Sequence, residues 1–369
     1  MKNTTLDDTP VAFAGAARAA SYIERDADPA TAAAPSAPAA APVTDATVVE
    51  EAPVQLEHDD VDLGELSVAT PLRIAQKGVR GILGKVGVKL APGAAETAAL
   101  EAAEQLRRNE EIVRQATWTR AVSILIANPK GGVGKTPVSL MLGGTIAAIR
   151  GGSVCIVEVS DDPGALIFRS EGSPTRGLGE LVAEAAGIRS AGQLAGYTAP
   201  QSSFAAVIGS VGWRPRLDGD AVTTITQVID EYFAIRVMDS GNQPSSSAFR
   251  AAVATADVLV VPIFDAGDAA LEAARLLEGL KAEGGHSAEL AANAVVLRLH
   301  DGRPENPQVV TRVDRILQTH GIRRQHTIPF DAHIAERGQL TLAKLTRPTR
   351  HEITAAAADV IRTLQNTAR

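Results

Sequence analysis

The run Asn128-Pro129-Lys130-Gly131-Gly132-Val133-Gly134-Lys135-Thr136-Pro137 restricts what this chain can fold into more than any other stretch. Before it stands AVSILIA, residues 121–127, a short apolar run with β-branched residues that reads as a buried parallel strand. After it, the apolar spacing from Val138 to Ile149 reads as a helix that ends near Gly151 and Gly152. Strand, glycine-rich turn and helix together make an anion site. The glycines at 131, 132 and 134 let backbone N–H groups turn inward, and the helix N-terminus adds partial positive charge. The spacing fits the phosphate-loop pattern G-x-x-x-x-G-K-[ST] with Pro129 in place of the first glycine. On that pattern Lys135 reaches the β- and γ-phosphates of a nucleotide and the Thr136 hydroxyl holds Mg²⁺.

More strands follow at the intervals an α/β domain requires. VCIVEV, residues 154–159, is apolar and runs into Ser160-Asp161-Asp162-Pro163-Gly164, where the acids are either site residues or turn formers. On a strand of period two, Asp161 faces away from the position that Ser160 and Asp162 share. YFAIRVM, residues 232–238, leads to Asp239, and an acid at the end of an apolar strand suits the Mg²⁺-facing carboxylate of phosphate-loop enzymes. Arg236 within that run predicts that one end of the strand meets solvent. Two further strands are predicted near 256–262 and 294–299, and Ala355 to Leu364 reads as a packing helix with Arg362 outside. The predicted class is therefore α/β: a phosphate-loop NTPase domain over 119–369, with a mostly parallel sheet flanked by helices.

The single cysteine, Cys155, lies in a predicted core strand, cannot form an internal disulfide, and suits a reducing cytoplasm. The seven histidines lack metal-ligand spacing, and the scarcity of aromatics argues against base stacking of single-stranded nucleic acid. The opening residues lack a sustained apolar h-region, and no run approaches the roughly 18 apolar residues of a membrane span. Positive charge gathers late. Residues 298–369 hold 12 Lys and Arg against 7 Asp and Glu, a net of +5, including Arg312, Arg315, Arg323, Arg324, Arg347 and Arg350. This is either a solvated helical face or a salt-sensitive grip on DNA phosphates.

The N-terminal third differs from the rest. Residues 1–66 read as a disordered tail: DADPATAAAPSAPAAAPV, residues 26–43, is Ala/Pro-rich, and residues 45–65 hold eight acids and no Lys or Arg. Residues 67–118 form a second segment. Within it PLRIAQKGVRGILGKVGVKL, residues 71–90, carries five basic side chains and apolar residues at helical spacing, a pattern that suits anionic lipid, DNA, a partner or a fold back onto its own ATPase domain. Glu96 to Gln115 reads as a charged helix leading into the first strand.

With Lys130 five residues ahead of Lys135, the loop resembles that of the ParA/MinD family, K-G-G-x-G-K-[ST]. By itself Lys130 is a solvated loop lysine; the resemblance implies that it reaches across a homodimer to the partner's ATP. It also implies that Asp162, aligned on Pro163, positions the attacking water, that Asp239 holds Mg²⁺ through water, and that Pro329 and Asp331 of Ile328-Pro329-Phe330-Asp331 border the adenine. The implied nucleotide contacts are then Lys130, Gly131, Gly132, Val133, Gly134, Lys135, Thr136, Pro137, Pro329 and Asp331. The family usually has a second Thr where Pro137 stands and an Asp where Ser160 stands, which removes one phosphate contact and makes hydrolysis slow. The short segments 88–93, 150–152, 328–334 and 345–350 look most similar to actinobacterial MinD-like ATPases with Ala/Pro-rich tails. The function implied is a partner-stimulated ATPase and dimerisation switch that positions plasmid or chromosome DNA or a cell-envelope machine. It would be cytoplasmic, with association to nucleoid or membrane left open. The alternative is an ATP-binding adaptor with little hydrolysis, for example beside type VII secretion.

Overall fold

The computed structural model describes residues 93–368. The tail 1–66 and the basic segment 71–90 lie outside the described residues, as does all of 67–118 before residue 93. Among the described residues one sheet holds eight strands: β1 Val122–Ile126, β2 Val154–Glu158, β3 Ala199–Pro200, β4 Ala206–Ile208, β5 Ile235–Asp239, β6 Val258–Phe264, β7 Val295–Leu299 and β8 Arg324–Ile328. Their order is β3-β4-β2-β5-β1-β6-β7-β8, and every pairing is parallel except β3 with β4. The chain crosses from β1 to β2, runs out to β3 and β4, returns to β5, and then builds the other half from β6 to β8. The strand order therefore reverses beside β1, and open parallel sheets place ligands at the carboxyl ends of their strands at such a point.

The main helices are α1 Ala94–Gln115, α2 Lys135–Arg150, α3 Gly219–Asp230, α4 Ser247–Thr255, α5 Gly267–Glu283, α6 Gly285–Ala292, α7 Pro307–Thr319 and α8 Arg347–Thr367. Alternation along each strand sorts the core into two layers. Ile124 and Ile126 of β1 pack with α1, α2 and α8, whereas Leu125 packs with the layer that carries α3 to α7. Both faces of β1, β2 and β5 are covered, so every residue of these strands is buried and most are apolar. α2 is buried from Val138 to Ala147 and stops at Gly151, whose φ of 78° places a left-handed residue at the helix end. Ala356, Ala357 and Ala358 let α8 lie close against the sheet. On α1, Arg108 pairs with Glu104, and Gln105 donates to Asn109 Oδ1 at 3.1 Å, each one turn along the helix.

Arg236 corrects the reading of β5. It is fully buried, not at a solvent-facing end. Its guanidinium pairs with Asp230 and donates to the carbonyls of Thr226 (3.3 Å) and Thr255 (3.4 Å), near the C-terminal ends of α3 and α4. The negative ends of two helix dipoles and one carboxylate offset the buried cation. Cys155 is also fully buried, and burial pushes its thiol far up.

Candidate functional site

Backbone geometry shapes the loop between β1 and α2. Gly134 caps α2 with φ 95°, and Gly132 has φ 77°, values that a side chain would make costly. A Cβ on Gly134 would also stand 2.9 Å from the Leu299 side chain of β7. Asn128, buried at the loop entrance, donates to Pro262 O (2.9 Å) and accepts from Lys130 N–H (2.9 Å), which ties the loop to β6.

Lys135 opens α2 and folds back over the loop. Its Nζ donates to Asn128 O at 2.9 Å and Lys130 O at 3.1 Å, and to the Asn242 side chain. Burial lowers its pKa to about 8, against the opposing pull of Asp239. Thr136 Oγ1 donates to Asp239 Oδ2 at 2.7 Å, and Ser139 Oγ to Asp239 Oδ1 at 3.2 Å. Burial pushes the Asp239 carboxyl up to about 6; Glu158 adds to the rise, and Thr136, Lys135 and Ser139 oppose it. The structure thus brings Lys135, Thr136 and Asp239 together as their positions in the sequence predict. A hydroxyl and a carboxylate side by side are hard oxygen donors of the kind Mg²⁺ takes, next to a lysine and a turn of backbone N–H groups suited to phosphates. The donor set fits Mg·ATP.

Around this centre lies a cavity of about 880 Å³. Its walls include Gly132, Gly134 to Pro137, the loop after β2, Leu299 to Asp301 and residues between Ile328 and Arg337. Gly131, Val133 and Lys130 belong to the same loop; Val133 is buried and Lys130 lies on the rim, its Nζ 2.8 Å from Asp268 Oδ2 at the start of α5. Pro329 and Asp331 line the cavity. The Asp331 carboxylate, however, accepts the backbone N–H groups of His333 (3.1 Å) and Thr346 (2.8 Å), so it shapes the wall ahead of α8. Arg298, on β7, donates to Asp265 at 2.6 and 2.9 Å and to Asp314 at 2.5 Å. Asp265, His300 and Glu305 bring their ligand atoms close together, but Arg298 already holds Asp265.

The loop after β2 differs most from expectation. β2 ends at Glu158, so the period-two argument does not extend to residues 160–162. Asp161 and Asp162 both line the cavity and both pair with Arg216: Asp161 is buried, and Asp162 is largely exposed. The acid at the strand end, in register with Asp239, is Glu158. Glu158 is buried and pairs with the equally buried Arg214 at 2.8 Å. It also accepts from Gly164 N–H (3.0 Å) and from the Ser210 hydroxyl at 2.5 Å. Arg214 goes on to donate to the carbonyls of Ser160 (2.8 Å), Asp161 (2.9 Å) and Asp162 (3.3 Å). One guanidinium thus fixes the course of the whole loop. Sequence reasoning missed Glu158, Arg214 and Asn242; the only local signal was an acid inside an otherwise apolar strand.

No protein-family model matches the sequence, and no curated protein matches it. Solved structures do match. A ParA family ATPase from Chlorobium tepidum TLS superposes with a TM-score of 0.55 at 14% identity, over 64% of this chain and 98% of that chain. An ATP complex of a McdA variant from Cyanothece gives 0.47 at 15% identity, over 66% and 97%. The cell division ATPase MinD from Pyrococcus furiosus gives 0.47 at 16% identity, over 66% and 99%. The described domain has the phosphate-loop NTPase fold. Within that class its fold is like that of the ParA family ATPase.

Proposed function

We propose that this chain binds Mg·ATP, hydrolyses it slowly, and uses the bound nucleotide to pair two copies of itself as a switch that positions a cargo. The convergence of Lys135, Thr136 and Asp239 on the glycine turn carries this reading. Thr136 and Asp239 would hold the metal, which supplies charge neutralisation at the phosphates. Lys135 and the backbone of Gly131 to Thr136 would bind the β- and γ-phosphates, while Pro137, Pro329 and Asp331 would border the rest of the nucleotide. Asp162 would orient a water, held in place by Arg216. Lys130, exposed on the rim and paired with an exposed Asp268, can exchange that partner for a second copy's nucleotide at little cost.

The cargo is plasmid or chromosome DNA, or a cell-envelope machine, and a partner protein stimulates turnover. Among the described residues, no helix is long and apolar enough to cross a membrane. Arg312, Arg315, Arg323, Arg347 and Arg350 are exposed, which supports a salt-sensitive contact with DNA phosphates. The division into a tail 1–66, a linker segment 67–118 and an ATPase domain 119–369 belongs to the same proposal.

A second reading, an ATP-binding adaptor with little hydrolysis, is favoured by the loop after β2. There Glu158 is neutralised by Arg214, and Asp162 stands in solvent. Turnover at saturating Mg·ATP, with and without Asp162→Ala, separates the two. A clear drop in the variant supports the switch, and equal rates support the adaptor. Sizing Lys130→Ala with ATP tests pairing; a dimer that forms unchanged removes Lys130 from that role.

A further inference from the structure

We propose that Arg169 and Arg337 form a second anion site on the same cavity, one that takes a phosphate group apart from those held at the glycine turn. Arg169 ends the short helix Leu166–Arg169, and Arg337 follows the short helix Ala332–Ala335. Both line the cavity. Arg169 is 8% exposed, and its Nε is buried without a hydrogen-bond partner. Its one side-chain hydrogen bond goes to Ile334 O at 3.4 Å, and the Arg337 backbone N–H donates to that same carbonyl at 3.2 Å. Neither arginine has a carboxylate within ion-pair distance among the described residues. Burial lowers the Arg169 pKa, and the Arg337 charge lowers it further.

The other cations of the cavity are already engaged. Lys135 is held by carbonyls and Asn242, and Arg303 by Asp301. The nearby acid, Asp331, spends both oxygens on backbone N–H groups. Two like charges side by side, one of them buried with an empty donor, are unfavourable until an anion arrives. Backbone conformation adds to this. The left-handed position after the helix falls on Arg337, at φ 54°, although Gly338 stands next and would adopt it without cost. A guanidinium fork matches phosphate oxygens, and phosphate is the chemistry for which the rest of the cavity is built. The phosphate can come from the bound nucleotide itself or from a separate phosphorylated ligand. Only the first source rests on the ATP reading above.

Calorimetric titration of the full chain with ADP, ATP and inorganic pyrophosphate tests this, using Arg169→Gln, Arg337→Gln, Arg169→Lys and Lys135→Ala. If the phosphate is the nucleotide's own, each Gln variant weakens ADP and ATP binding by about tenfold or more, and Arg169→Lys recovers part of it. If the phosphate is separate, nucleotide binding holds, but the pyrophosphate binding that survives in Lys135→Ala disappears when Arg169→Gln is added. Unchanged binding in both arms overturns the proposal. A wild-type chain that binds no nucleotide defeats the ATP reading but leaves the pyrophosphate arm able to decide. Melting curves guard against misfolding. Removing an unpaired buried cation leaves the melting temperature without phosphate equal or higher, whereas a merely structural arginine lowers it.

Discussion

The glycine turn and the loop after β2 face each other across one cavity, yet they are held in different ways. In the turn, the path is set locally: Lys135 closes on the carbonyls of Asn128 and Lys130, left-handed glycines make the bend, and the distant partners Pro262, Asp239 and Asn242 meet side chains rather than the turn's backbone. The loop after β2 is held from a distance, by Arg214 more than 50 residues away, through a buried pair with Glu158. Removing a piece of the first region costs ligand. Removing a piece of the second leaves a charge stranded in the interior.

The largest effect that separates the two regions is therefore expected in stability. Arg214→Ala should cost about 3–5 kcal/mol in urea unfolding, because the Glu158 carboxylate is then buried without its counter-charge. A double change of Arg214 and Glu158 to apolar residues should recover most of that loss; failure to recover would show that the carbonyl contacts to residues 160–162 dominate. Lys135→Ala should lower ATP affinity by about 100-fold, roughly 3 kcal/mol, with little change in melting. A large fall in stability would erase the contrast.

Smaller effects sharpen it. Asp239 must be ionised to hold a metal, so the Mg²⁺-dependent part of nucleotide affinity should rise with pH and level off above about 6. Titrations at pH 5 and 7 should differ by about tenfold, and Asp239→Asn should flatten the difference. A distant control is His326, on β8. Burial alone would lower its pKa, but Asp359 and Glu352 outweigh that and raise it to about 9. A raised histidine stabilises the fold fully below its unfolded value near 6.5, and that contribution fades as pH climbs through about 9. Unfolding free energy should thus fall by about 1 kcal/mol across that window, discounted for partial exposure, and not in His326→Gln. Nucleotide affinity should not follow it.

The same contrast explains what the sequence revealed. The strand, turn and helix around Lys135 were legible because their chemistry is contiguous, and Asp239 because an acid at the end of an apolar strand is a local sign. The parallel sheet and the packing helix α8 followed from apolar periodicity. Arg236 misled because its partners, Asp230 and two helix-terminal carbonyls, are supplied by tertiary folding. Glu158 and Arg214 stayed hidden for the same reason, and the loop they hold was read as a continuing strand. Nothing in the residues around Arg169 marks it, since an arginine without a partner is recognised only once every neighbour is placed.

Cys155 offers a practical return. As the chain's lone thiol, sealed in the core layer that carries α3 to α7 and resistant to ionisation, it is silent toward maleimides. A cysteine placed at exposed Ala282 on α5 could then carry a single fluorophore without first stripping the native residue. Energy transfer between two such copies would test the proposed pairing in solution.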